Sequence, residues 1–260
     1  MSESKDLVIS SGDQLLKATT RRKFLGVLGM GGAIVFLPSV FTACNNDDNI
    51  TGTDPNIAAF KLTLSDDTGI LNYAYALEQL EAAYYTAALG STGFAALSAN
   101  DQEVLGDLQK HEVIHREFFK QVLGSSAIPT IAFNTTTVGT LTATRAVLLS
   151  TSQLLEDTGV SAYNGAGKYL TSAANLLVAG KIVSVEARHA AAIRDIRDGT
   201  NGRLFAGDDV VNAAGLDVKS EPSTVLAAVV SLNVVTSPLS IGTQPDASKK
   251  SADFNAPTPV

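Results

Sequence analysis

Apolar residues return every three or four positions along four stretches of the chain, the spacing of one face of an α-helix. The first stretch runs from about Thr68 to Leu89 and stops at Gly90; its stripe is Leu71, Ala74, Glu78, Ala82, Tyr85 and Leu89. The second begins near Ser98, where Ser98 and Asp101 have the spacing of a capping pair, and ends at Gly124. Its stripe is Leu105, Leu108, Glu112, His115, Phe119 and Val122. A third stretch runs from about Thr140 to Tyr163 with an internal Gly159. The fourth runs from about Ser172 to Asp198, closed by Gly199, with the stripe Asn175, Ala179, Ile182, Glu186, His189 and Ile193. The links within each pair are short, whereas 125–139, with Pro129 and the run Thr135-Thr136-Thr137, must cross the length of a bundle. The pattern predicts an all-α fold, a four-helix bundle of two antiparallel hairpins with a long crossover. Beyond Gly199, Ser220-Glu221-Pro222 opens one more short helix through Leu232, and an irregular tail follows from Thr236 to Val260.

In each of the four stretches an acid sits where an apolar residue belongs. A buried, unpaired Glu is costly, so such residues must be protonated, ion-paired or metal-bound. The chain has three His, and two of them fall in Glu-x-x-His motifs, Glu112/His115 and Glu186/His189. Each motif follows a Glu-x6-Tyr motif, first Glu78 with Tyr85 and then Glu156 with Tyr163. Residues three apart on a helix share a face, so Glu and His of each motif both point inward. The candidate metal ligands are therefore Glu78, Glu112, His115, Glu156, Glu186 and His189, with the two Glu-x-x-His acids as bridges and Glu78 and Glu156 as terminal ligands. Mixed oxygen and nitrogen ligation suits two Fe ions per chain, with Mn as the alternative. Glu81, one turn after Glu78, either substitutes for it or supports it. Tyr85 and Tyr163, two turns past their Glu, read first as buried core tyrosines with satisfied hydroxyls; the alternative is a hydrogen bond or an electron given to the centre. His111 is expected at the bundle edge.

Aromatics make up 6% of the chain and Trp is absent, a composition suited to close-packed helices. The N-terminal part carries adjacent Arg21 and Arg22, then an uncharged run from Phe24 to Ala43, then Cys44. Residues 1–43 read as a twin-arginine-type lipoprotein signal peptide, with Phe41-Thr42-Ala43-Cys44 as the lipobox and Cys44 as the lipidated residue. Residues 44–66, rich in Asn, Asp, Thr and Gly, read as a flexible tether, 67–200 as the bundle and 201–260 as a C-terminal extension. Removing 1–43 deletes five basic groups (Lys5, Lys17, Arg21, Arg22, Lys23) and three acids (Glu3, Asp6, Asp13), making the net charge of −7 two units more negative. That acidity argues against nucleic acid as a partner. The expected location is outside the cytoplasm, in the periplasm or at the cell surface, held to a bacterial membrane through Cys44. A single Cys excludes a four-Cys electron-transfer site, so an enzymatic form needs an external electron donor.

The Glu and His constellation resembles the ferritin-like superfamily of dinuclear carboxylate proteins. The segment Leu71 to Tyr85 (LNYAYALEQLEAAYY) is similar to the first helix of exported ferritin-like proteins related to desiccation-associated proteins, as are Glu156 to Ala166 and Val185 to Ala191 to their later motifs. The resemblance implies a di-iron oxidase or peroxidase, or a manganese-type catalase, that oxidises Fe(II) or consumes O2 or peroxide in the cell envelope. The alternative it implies is a non-catalytic envelope stress protein with a structural or vestigial metal site. A tethered chain fits a closed iron-storage shell poorly; a homodimer is compatible with it.

Overall fold

The computed structural model describes residues 60–199, 204, 205, 207, 209–236 and 239–245. The signal, the lipobox with Cys44 and the end of the tail lie outside them. Strand β1 (Phe60–Thr63) leads into α1 (Asp67–Leu89), the short α2 (Thr92–Ala95) and α3 (Ala99–Leu123). A crossover containing α4 (Thr135–Leu141) then leads to α5 (Arg145–Ala166) and α6 (Ala173–Asp198), followed by α7 (Pro222–Ser231) and β2 (Leu239–Thr243). Helix α1 packs along α3 and α5 along α6, and the hairpins meet through α1 with α5 and α3 with α6. The fold is the all-α bundle of two hairpins, with the short C-terminal helix, that the periodicity predicts.

Each long helix starts where a side chain can accept an otherwise orphaned backbone N–H. Asp66 accepts from Gly69 at 2.9 Å, Ser98 from Asp101 at 3.2 Å, Thr144 from Val147 at 3.3 Å and Ser172 from Asn175 at 3.3 Å. Gly124 and Gly199 end α3 and α6 at φ 53° and 69°, where a Cβ would be strained.

Helix α1 is buried on nearly every face, because the crossover lies across its outer side. Two amides pin it there. Asn72 donates to the Ser126 carbonyl at 2.9 Å and accepts from Ile128 N–H at 2.8 Å, and Gln79 accepts from Ile131 N–H at 2.8 Å. They stand in for the backbone partners that an irregular segment lacks.

The structure corrects several sequence expectations. The third helix does not begin at Thr140. The Thr run within the crossover forms α4, capped by Asn134, and the Thr142 hydroxyl turns back on the Val138 carbonyl where that helix ends. A new helix then starts after Thr144. Residues 60–63, assigned to the flexible tether, form β1, and 239–243, assigned to the irregular tail, form β2. The two pair in parallel, Phe60 with Leu239 through Thr63 with Thr243, so main-chain hydrogen bonds absent from side-chain periodicity order both. Val122, placed in the core stripe, is 50% exposed, and the next residue, Leu123, takes the buried position.

The C-terminal extension is clamped to the bundle by Arg194, which is 1% exposed. Its guanidinium donates to both Asp157 oxygens, at 2.9 and 2.6 Å, and to both Asp209 oxygens, at 2.9 and 3.0 Å. Gly207, at φ 50°, passes so close that an added Cβ would lie 2.5 Å from the Arg194 Nη1. Among the described residues no helix is long and apolar enough to cross a membrane.

Candidate metal centre

Each hairpin delivers one terminal acid and one Glu-x-x-His pair to the same level of the bundle interior. Glu78 comes from α1, Glu112 and His115 from α3, Glu156 from α5, and Glu186 and His189 from α6. All four carboxylates are 0% exposed, and His115 and His189 are 9% and 3% exposed. The structure thus brings together all six residues that interrupt the apolar stripes.

Their arrangement defines two overlapping sets. In one, ligand atoms of Glu78, Glu112, His115 and Glu186 lie within 4.8 Å of one another; in the other, those of Glu112, Glu156, Glu186 and His189 do. Glu112 and Glu186 belong to both. His115 Nδ1 lies 2.8 Å from Glu186 Oε1, 3.4 Å from Glu78 Oε2 and 3.6 Å from Glu112 Oε2. His189 Nδ1 lies 2.7 Å from Glu112 Oε1, 3.3 Å from Glu186 Oε2 and 3.4 Å from Glu156 Oε2. The distances are short, but these atoms do not meet with hydrogen-bond geometry. Glu78 Oε2, both oxygens of Glu112 and of Glu186, Glu156 Oε2 and both His Nδ1 atoms are buried without a hydrogen-bond partner. Such orphaned groups are costly inside a protein. Here they aim at shared space, the donor set that a cation would satisfy, and each set could hold a metal ion.

The two terminal acids are steadied crosswise. Tyr85 of α1 donates its hydroxyl to Glu156 Oε1 of α5 at 2.5 Å, and Tyr163 of α5 donates to Glu78 Oε1 of α1. Both tyrosines therefore hydrogen-bond the centre itself, the alternative to a plain core role, and the shared seven-residue spacing from Glu to Tyr is the signal that favours Glu78 over Glu81. Burial, then the Glu156 charge, raises the Tyr85 hydroxyl well above its usual range, and burial and Glu78 do the same to Tyr163, so both remain neutral donors.

Glu81 is 3% exposed and lies against α5 beside Gly159, where an added Cβ would come within 3.1 Å of Glu81 Oε1. The glycine inside α5 thus makes room for this acid. Glu81 is outside both four-residue sets; burial and the neighbouring Glu112 raise it well above the carboxylate range. His111 is exposed at the bundle edge, yet it reaches the centre. Its Nδ1 lies 2.9 Å from His189 Nε2, and the two rings are nearly coplanar, centroids 5.2 Å apart and planes 9° apart.

Without a cation, protons balance the cluster. Burial, with Glu186 adding to it, pushes Glu78 well above the usual range. Burial and Glu112 bring Glu156 up to about 8 against the opposing pull of His189. Burial also acts to raise Glu112, but His115 and His189 overcome it and bring this acid down to about 2. Burial acts to lower both His; the carboxylates overcome it, led by Glu112 in each case, and hold both rings protonated up to about 12.

A pH dependence follows for the metal-free protein. Glu156 is raised from 4.5 and both His from 6.5, so the folded state binds more protons than the unfolded one and this stability is lost as pH rises. Glu112 works the other way, but its contribution is complete above 4.5 and is lost only on acidification towards about 2. Chelator-treated protein should therefore melt at higher temperature near about pH 5.5 than near about pH 8.5, followed by circular dichroism. A melting temperature that rises across that interval would contradict this protonation pattern.

A helical bundle whose interior gathers buried carboxylates and imidazoles from four helices is a carboxylate bundle that could hold metal ions. Consistently, the model of the ferritin-like domain family matches residues 66–198, and the chain belongs to that family. No curated protein matches the chain.

Proposed function

We propose that the protein binds two metal ions, iron or manganese, and acts in the cell envelope as an oxidase of Fe(II) or a consumer of O2 or peroxide. The observation that carries this reading is the set of buried, unpartnered ligand atoms from all six residues. Glu78 and His115 would hold one ion, Glu156 and His189 the other, and Glu112 and Glu186, shared by the two sets, would bridge them. A bound pair of such ions supplies two-electron redox chemistry at one place.

The chain's own residues prepare that place. Tyr85 and Tyr163 occupy one oxygen of each terminal acid and so fix which oxygen faces inward. Leu105, Leu148 and Ile193 in one core cluster and Phe119 in the other, each no more than 1% exposed, belong to the dry interior of the bundle. His115 and His189 must give up a proton each when they ligate, so metal uptake releases protons and weakens on acidification.

The N-terminal sequence supports an exported, lipid-anchored form attached through Cys44, with the membrane as its partner and an external electron donor if it turns over. A twin-arginine signal suits a protein that folds around its metal before export. Elemental analysis of protein purified from its native host should find two Fe or Mn per chain, and anaerobic addition of Fe(II) followed by air should give faster oxidation than in buffer. A protein that takes up neither metal would remove the proposal. Two bound ions with no turnover of Fe(II) or peroxide would favour the structural role instead.

A further inference from the structure

We infer that His111 is a positioning residue of the metal centre, setting the tautomer and orientation of His189 and making the two ion positions unequal. The inference rests on the dinuclear reading above. His189 presents Nδ1 to Glu112, Glu156 and Glu186 and Nε2 to His111 Nδ1 at 2.9 Å. A ligating imidazole uses an unprotonated nitrogen, so with Nδ1 on the ion the remaining proton must sit on Nε2. His111 Nδ1 accepts that proton's hydrogen bond, and the rings lie side by side with planes only 9° apart, the alignment that an in-plane N–H···N bond needs. The usual partner behind a ligating His is a carboxylate or a carbonyl, which fixes the ring and raises its basicity. Here it is a second imidazole on the exposed rim of α3. It fixes the ring without adding a buried negative charge to a cluster that already holds Glu78, Glu81, Glu112, Glu156 and Glu186.

His115 has no equivalent. It makes ion-pair contacts through Nδ1, and no described residue hydrogen-bonds its other ring nitrogen. Two motifs alike in sequence thus differ in their support, and the ion held with His189 is the better braced. His111 lies one residue before Glu112, on the turn preceding His115, so one short segment of α3 ligates one ion through His115 and braces the other through His189.

The test is titration of metal-free protein with Co(II), read by calorimetry and by the visible absorption of bound cobalt. Wild type should bind two ions with unequal affinity. His111→Ala should lose roughly ten- to a hundredfold in affinity for one ion and leave the other within a few-fold. His111→Asn, which keeps an acceptor close to the Nδ1 position, should restore most of that loss. His111→Phe, which keeps an aromatic ring but no acceptor, should not. If His111→Ala fails to fold, the Asn and Phe variants decide the matter between them. Two ions bound by His111→Phe as tightly as by wild type would overturn the inference while leaving the centre intact; a wild type that binds no metal would remove both.

Discussion

Glu186→Gln should fail to bind either metal ion. Glu186 Oε1 faces His115 at 2.8 Å and Oε2 faces His189 at 3.3 Å, so one carboxylate serves both sets. An amide offers one weak acceptor and an NH2 group that points donors at a space built for a cation. The metal-free variant keeps the shape of the side chain and should still fold, although His115 loses its nearest carboxylate. The contrast appears on adding metal. At a thousandfold excess over its dissociation constant, a bound ion stabilises the native state by about 4 kcal/mol, and the variant should show none of this gain. Melting curves with and without Mn(II), together with metal content, make the comparison. A variant that retains one ion would show that Glu186 does not bridge.

Arg194→Ala should cost about 3–5 kcal/mol, the range for breaking a buried ion pair by removing one partner. The side chain is among the largest of those fully buried, and it donates to Asp157, whose side chain is 19% exposed. Asp209 is 65% exposed, so Asp209→Ala should cost less than about 1 kcal/mol. Arg194→Lys should recover only part of the loss, since one ammonium cannot form two bidentate pairs. For a domain of this size the alanine change corresponds to a fall in melting temperature of roughly 6–20 °C. Equal losses for the Arg194 and Asp209 alanine variants would show that burial of the guanidinium is not what matters.

The four long helices were legible because their caps and their apolar period agree: Ser98 with Asp101, Gly124 and Gly199 mark ends to within a residue. The positions of the candidate ligands were legible for a related reason, since an acid at a core position of a helix is a local contradiction that something must resolve. What was hidden depended on partners distant in sequence. Asn72 and Gln79 look like surface amides until the crossover lies over them. The break at 142–144 turns on one hydroxyl folding back on its own helix. Val122 and Leu123 are equally apolar, and only the exact rotation of α3 decides between them. His111 looked peripheral because His115 already completes the Glu-x-x-His pair; its bond joins it to a residue 78 positions away.

The crosswise bonds of Tyr85 and Tyr163 have a consequence for how the halves of the molecule fit. Each hairpin owns a hydroxyl that the other needs, so neither is chemically complete alone. Sliding one past the other by a single helical turn, about 5.4 Å, would strand two carboxylates and two phenols in oil at once. The bundle therefore carries its own alignment gauge, deep inside, where mismatch is most heavily penalised.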